Sequence, residues 1–260
     1  MPRQSRKLSN TGIYHIMLRG NERKGVFLDR MDKHKFLEVL ALKQKELAFS
    51  IYAYCLMNNH IHLILNNDNA DLASIMKGIA VRYATFFNWK YNRVGHVFQD
   101  RFKSQVIEDD QYLLVAVRYL HNNPVKAGFT EHPEDYEWSS YRQYLAPVSK
   151  PWLNTALVLN MFSGQKNVAM KEFQKFSMQL DQISLLDCEE KKGIRTLQEG
   201  KTYLEELLKS EEPIIEIGLI KENKLRRDEV IRHLRTETSL SQRIIAQLLG
   251  VDKKVVERVR

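Results

Sequence analysis

Between Gly12 and Asn123 the apolar residues recur alternately at a period of two and at a period near 3.6, which commits this stretch to strands interleaved with helices. Gly12 to Arg19 (GIYHIMLR) reads as a strand. Asp32 to Ala48 reads as a helix with Phe36, Leu37, Leu40 and Leu47 on one face. Ile51 to Met57 and His60 to Leu65 are two further strands around Asn58-Asn59, a pair suited to a hairpin turn. Asp71 to Tyr91 follows as a long helix capped by Asp71, then a strand at Lys103 to Ile107 and a helix at Asp109 to Asn123. The order β-α-β-β-α-β-α is that of an α+β fold: a ferredoxin-like, split βαβ antiparallel sheet with one added helix. One helical layer then covers one face, and the other face is expected to be open for a site.

The chain has 260 residues, 43% of them hydrophobic, enough for a packed core and more than one domain. Two prolines in Ala146-Pro147-Val148-Ser149-Lys150-Pro151 mark a connector. The expected division is a first domain over 1–145, a linker and helical region of unassigned role over 146–220, and a C-terminal segment over 221–260. Within the middle region the pattern predicts helices at Asn154 to Met161, Ala169 to Leu180 and Thr202 to Leu208. Cys55 and Cys188 are too few and too far apart for a disulfide framework or a cysteine-rich zinc site. No apolar run reaches the ~18 residues of a membrane span, and MPRQSRKLSN leads into no apolar segment, so a cytoplasmic protein is expected. Net charge is +8, and it is uneven. Residues 1–150 carry 21 basic and 15 acidic side chains, 151–220 carry 8 and 11, and 221–260 carry 11 and 6. Basic ends point to a polyanionic partner, with Arg3, Arg6 and Lys7 as a solvated arm.

Strand alternation turns Ile61, Leu63 and Leu65 to one side and His60 and His62 to the other, where two imidazoles can converge on one divalent ion. Tyr119 and Asn123 are four apart and share a helical face, about a quarter turn from the core stripe Leu113, Val117 and Leu120. The tyrosine hydroxyl is therefore expected to reach outward. Pro124 should end the helix at about Asn123, whose amide oxygen becomes a third candidate ligand.

Arg19-Gly20-Asn21, Asn58-Asn59-His60-Ile61-His62-Leu63-Ile64, Gly95-His96-Val97-Phe98-Gln99-Asp100-Arg101-Phe102-Lys103 and Tyr119-Leu120-His121-Asn122-Asn123-Pro124-Val125-Lys126-Ala127-Gly128 form an ordered set over residues 10–145. The set resembles the single-tyrosine His-hydrophobic-His transposases, and within them the REP-associated tyrosine transposases of bacteria. Asn58 stands where that family often has proline, which changes the turn rather than the ligands. The resemblance implies an enzyme that cleaves and rejoins single-stranded DNA at the foot of palindromic hairpins through a covalent phosphotyrosine. By position it makes Tyr119 the nucleophile and His60, His62 and Asn123 the metal ligands. Two imidazoles and one amide, completed by water and phosphate, suit Mg²⁺ or Mn²⁺ better than zinc.

Arg19, Arg23, Lys24, Arg101 and Lys103 flank this set and are candidate phosphate contacts. The aromatic run Tyr83, Phe86, Phe87, Trp89 and Tyr91 is dense enough to include a base-stacking platform, although core packing is expected for most of it. Tyr112, seven residues before Tyr119, is the rival nucleophile, and His15 and His96 are candidates for contact with DNA or metal, a structural role being the expectation for both. From Ser241 to Val259 the chain resembles a helix-turn-helix, with Ala246 at the crossing, Gly250 at the turn and Lys253, Lys254 and Arg258 toward double-stranded DNA. The expected partners are hairpin-bearing single strands and duplex DNA, no membrane, and either a monomer or a homodimer located at the nucleoid when bound. Two other readings stand beside the transposase: a domesticated hairpin-binding regulator, and a hydrolase that uses water in place of Tyr119.

Overall fold

A computed structural model describes residues 7–68, 70–179, 194, 196–209, 220, 223–238 and 240–259, so Arg3, Arg6 and Cys188 lie outside the described residues. Two compact units, Met1–Leu186 and Asp187–Arg260, divide the chain. The first contains β1 (Ile13–Arg19), α1 (Arg30–Leu47), β2 (Ser50–Leu56), β3 (His60–Asn66), α2 (Leu72–Lys90), β4 (Lys103–Ile107) and α3 (Asp110–Lys126). All strand pairs are antiparallel, in the order β2-β3-β1-β4.

Each element follows from its sequence within a residue or two. Asp29 caps α1 by accepting from Asp32 N while the Asp32 carboxylate accepts from Asp29 N, a reciprocal box. Asp71 caps α2 through the amides of Ala73 and Ser74, and Asp109 caps α3 through Tyr112 N. The register Met17↔His62 and Leu18↔Ile61 sorts the side chains. Ile61, Leu63 and Leu65 join Ile16 and Leu18 in the fully buried core that also takes in Phe36 and Leu40 of α1 and Ile75, Ile79 and Tyr83 of α2.

Two expectations about α3 are corrected. The histidine face of the sheet is not open, because α3 packs across it and leaves His62 fully buried and Tyr119 only 3% exposed. Nor does the helix stop at Asn123. It runs to Lys126 with Pro124 inside it, since the missing amide of Pro124 removes one bond while Leu120, Asn123 and Pro124 stay buried and hold the last turn. The end is then closed by Ala127 N to Asn123 O and Phe129 N to Pro124 O.

Past α3, α4 (Tyr141–Tyr144), α5 (Ala156–Asn160) and α6 (Lys166–Ser177) belong to the same unit, and the expected boundary at 145 is not where the chain divides. The reason is aromatic packing: Phe173 of α6 stacks on Tyr144 of α4 with ring centroids 4.6 Å apart and lies edge-on to His121 of α3. The second expected boundary, at 220, is displaced likewise. Tyr203, Leu204 and Leu208 of α7 (Leu197–Lys209) share a core with Val230, Ile231 and Leu234 of α8 (Lys224–Glu237). That core also holds Ile245 and Leu249 of α9 (Gln242–Leu249) and Val256 of α10 (Lys253–Arg258). Ser241 caps α9, and Gly250 ends it at φ 62°, a left-handed C-cap that glycine takes without strain. No helix among the described residues is long and apolar enough to cross a membrane.

Candidate active site

Antiparallel pairing aligns three short rows of side chains on the face beneath α3. Arg19 lies opposite His60, Met17 lies between His62 and Lys103, and His15 lies between Ile64 and Gln105. Residues directly opposite one another in a sheet share a face, so Arg19, His15, His60, His62 and Lys103 all face the same way.

His62 Nδ1 is 2.9 Å from Nε2 of His15, both rings being fully buried, and His62 Nε2 has no hydrogen-bond partner among the described residues. His60 donates from Nδ1 to Asn59 Oδ1 at 2.7 Å, which turns its Nε2 edge away from the hairpin turn. The His60 and His62 rings lie 5.0 Å apart. Above them, the Tyr119 ring is 6.3 Å from His15 and 6.4 Å from His62. Asn123, one turn on, is buried, and its Nδ2 lacks a partner among the described residues. The ammonium of Lys126 sits 4.3 Å from the centre of the Tyr119 ring, a cation–π contact that exists because the helix passes through Pro124.

Burial pushes the His15 pKa down to about 4, and burial together with the nearby Arg19 charge does the same for His60. His62 is held well below the usual range by burial, with His60 and His15 adding to the effect. All three imidazoles are therefore neutral at pH 7 and keep a lone pair. Among the described residues no three His, Cys, Asp or Glu side chains cluster in a way that could hold an ion. Two histidines and an amide nevertheless offer donors that suit a divalent ion which keeps several waters. Two of these groups carry buried polar atoms without a partner among the described residues, His62 Nε2 and Asn123 Nδ2, the latter on a carboxamide whose ends interchange by a half turn.

The other candidate residues divide by location. Arg19, partly exposed, and Lys103, exposed, share the site's face; Arg101 is exposed just before β4. Arg23 and Lys24 belong to the loop after β1, where Lys24 pairs with Glu22 at 2.6 Å. Gly20 roots that loop: its amide donates to Asn59 O at 2.7 Å, and a Cβ there would lie 2.1 Å from the Lys24 carbonyl oxygen. Tyr112 is half-buried, its pKa raised by burial and then by Asp109, and it forms no ring contact with either site histidine among the described residues. Tyr83 and Phe87 are core, as expected, whereas Trp89 is 79% exposed. Lys253, Lys254 and Arg258 are exposed on the second unit, Lys253 paired with Glu257 at 2.9 Å.

His15 lies against His62, a placement that its own position in the sequence does not announce. Its signal is the same alternation that marks β3, since His15, Met17 and Arg19 share one face of β1 while Ile16 and Leu18 take the other. What the sequence lacks is the register that sets His15 beside His62.

A four-stranded antiparallel sheet with a His-x-His strand thus lies beneath a tyrosine-bearing helix. Residues 9–123 match the family model described as IS200-like transposase, which spans less than half of the chain. A curated Haemophilus influenzae protein described as a REP-associated tyrosine transposase is 32% identical over 107 residues, 36% of this chain and 60% of that protein. The chain thus spans less than two thirds of the length of that relative. Among solved structures, a REP-associated tyrosine transposase bound to a REP hairpin is similar at 19% identity and a TM-score of 0.49, over 58% of this chain and 89% of that one. A Deinococcus radiodurans protein described as a transposase follows at 13% identity and 0.34, over 46% and 97%.

Proposed function

We propose that the first unit cleaves and rejoins single-stranded DNA at the foot of palindromic hairpins of the REP kind, with Tyr119 as nucleophile, and that its sheet is the ferredoxin-like split βαβ. The observation that carries this reading is the Tyr119 ring 6.4 Å from His62 on the face that His60 shares, with the buried Asn123 one turn further along the same helix. His60, His62 and Asn123 would hold Mg²⁺ or Mn²⁺. Such an ion supplies Lewis-acid stabilisation of charge developing on a non-bridging phosphate oxygen.

The protein's own groups do the rest. The Tyr119 hydroxyl oxygen forms a bond to phosphorus, the bond to the 3′ oxygen breaks, and that oxygen takes up a proton to leave a free 3′ hydroxyl. The phosphodiester energy is conserved in the Tyr119 ester, so a 3′ hydroxyl can reverse the attack and join strands without ATP. A phenol of reference pKa ~10 gives up its proton in the step, and the Lys126 ammonium over the ring favours the charge left behind. Arg19 and Lys103, on the same face, are phosphate contacts in this scheme, with Arg23, Lys24 and Arg101 on the flanking loops. The second unit, whose α9 and α10 are joined by the left-handed Gly250, acts as a helix-turn-helix on duplex DNA through Lys253, Lys254 and Arg258. The protein works in the cytoplasm, at the nucleoid when bound, as a monomer or homodimer.

The test is a cleavage assay on single-stranded hairpins with Mg²⁺ or Mn²⁺, read on a denaturing gel for DNA covalently attached to protein. A metal-dependent adduct that Tyr119→Phe and His62→Ala abolish is expected. If both variants bind hairpins as the wild type does and the wild type forms no adduct, the protein is a hairpin-binding regulator instead. Cleavage that survives Tyr119→Phe assigns the attack to Tyr112 or to water.

A further inference from the structure

We propose that His15 is a positioning residue for the metal site: it accepts a hydrogen bond from His62 Nδ1 and thereby fixes His62 in the tautomer whose Nε2 is bare. This rests on the divalent-ion reading above. The two rings are fully buried and their nitrogens, His15 Nε2 and His62 Nδ1, are 2.9 Å apart. One proton is shared in that contact, and it has two arrangements. If His15 donates, His62 must carry its own proton on Nε2, where it blocks any ligand. If His62 donates, Nε2 presents a lone pair, and the proton of His15 moves to Nδ1.

A purely structural pair would be a poor use of two buried imidazoles. Both outer nitrogens, His15 Nδ1 and His62 Nε2, lack a partner among the described residues, so the contact satisfies two ring nitrogens and strands two others. A cation on His62 Nε2 resolves half of that deficit and selects the arrangement in which His62 donates. His60 is prepared in a parallel way: Asn59 Oδ1 has no proton to give, so at 2.7 Å it accepts from His60 Nδ1. Both ligand candidates are thus held through Nδ1, the outer-shell orientation that metal-binding histidines ordinarily receive. His15 reaches its position because β1 pairs with β3, Met17 opposite His62, with Ile16 and Leu18 of the same strand anchored in the core.

The experiment uses the full chain and two readouts that need no DNA. Mn²⁺ affinity is measured by electron paramagnetic resonance of the free ion for the wild type, His62→Ala, His15→Phe and His15→Gln, each checked for fold by circular dichroism. Nitrogen-15 imidazole spectra, with and without Mg²⁺, report which His62 nitrogen carries the proton. His15→Phe is expected to weaken Mn²⁺ binding about 10- to 100-fold. His15→Gln, whose amide oxygen falls near the place of Nε2 and still accepts, should restore it to within a few-fold. In wild type saturated with Mg²⁺, the proton should sit on His62 Nδ1.

A folded His15→Phe that binds Mn²⁺ like the wild type, in a protein where His62→Ala does not bind, overturns the role of His15 and leaves the metal site standing. A wild type that binds no Mn²⁺ overturns both. Should His15→Phe not fold, the wild-type spectrum decides alone: a proton on His62 Nε2 in the Mg²⁺-saturated protein refutes the assignment.

Discussion

Replacing Gly20 by alanine should damage the site from a position that touches none of its reacting groups. The residue has ordinary extended backbone angles, φ −65° and ψ 143°, so its need for glycine is not conformational but spatial. An added Cβ would meet the Lys24 carbonyl oxygen at 2.1 Å, Val26 Cγ1 at 2.9 Å and Asn59 O at 3.2 Å. Reaching an ordinary contact requires the loop after β1 to move by about 1 Å, and overpacking of that kind costs about 1–3 kcal/mol. The same movement strains the bonds that seat the loop, Gly20 N to Asn59 O at 2.7 Å and Val26 N to Asn58 O at 2.9 Å, each worth about 1 kcal/mol. A total near 2–4 kcal/mol corresponds to a fall in Tm of roughly 4–16 °C for a unit of this size. Gly25→Ala in the same loop is the control, since its nearest neighbour is the flexible end of Leu28 at 3.2 Å, and it should cost under about 1 kcal/mol. Thermal unfolding of the three proteins, followed by circular dichroism, and adduct yield on hairpin DNA are the assays. Arg19 and His60 lie opposite each other at the root of this loop, so Gly20→Ala should lose adduct yield as well as stability. Equal Tm values for the two alanine variants would refute the steric reasoning.

Acid should unfold the first unit early. His121, fully buried against Ser140 Oγ at 2.7 Å, has its pKa lowered by burial to about 3, so the unfolded chain binds its proton near pH 6.5 and the folded one does not. Its contribution is complete above about 6.5 and falls away as the pH drops through that window, by about 2 kcal/mol at pH 5. Urea midpoints at pH 7 and 5 measure it, and His121→Gln should remove its own share of the difference, the remainder coming from His15, His60 and His62, which burial holds low as well. Asp32→Ala should destabilise by about 2–4 kcal/mol, because the fully buried carboxylate accepts from the amides of Leu28 and Asp29, which lose their acceptor, and from Lys90 and Tyr91, which keep only Asp29. A midpoint within 1 kcal/mol of wild type would show the cluster to be dispensable. Trp89→Ala, at a side chain 79% exposed, should leave stability within about 0.5 kcal/mol but weaken single-strand binding by the ~1–3 kcal/mol of a lost base stack. Fluorescence titration with an oligonucleotide settles it, and unchanged affinity removes Trp89 from the interface.

The strands and the caps were legible because each is decided locally. Period two separates Ile61, Leu63 and Leu65 from His60 and His62 without knowledge of any partner, and Asp71 and Asp109 announce their helices one residue ahead. The misjudged features are those decided at a distance. Pro124 carries a local rule against helix, and only burial of the last turn of α3 overrides it. That α3 would cover the histidine face is a matter of packing, which the periodicity of α3 alone does not address. The apolar face of α7 is plain in the sequence, but nothing in it says that the partners are Val230 and Leu234 of α8 rather than residues of the first unit. Among the site residues, Tyr119, His60, His62 and Asn123 could be named from spacing and motif, whereas the hydrogen bond between His15 and His62 depends on a strand register set 47 positions away.

Strand β3 divides its labour residue by residue, and that governs how this protein can change. Ile61, Leu63 and Leu65 hold the sheet together, while His60 and His62 take the opposite face, toward Tyr119. Losing His62 forfeits one buried hydrogen bond and spares every apolar contact of the strand; losing Leu63 opens a cavity that the whole unit feels. Mutations that silence the site are therefore cheap, and mutations that spoil the scaffold are not. Under the proposed function, a lineage released from selection for strand transfer would shed its histidines long before its leucines and leave a folded remnant.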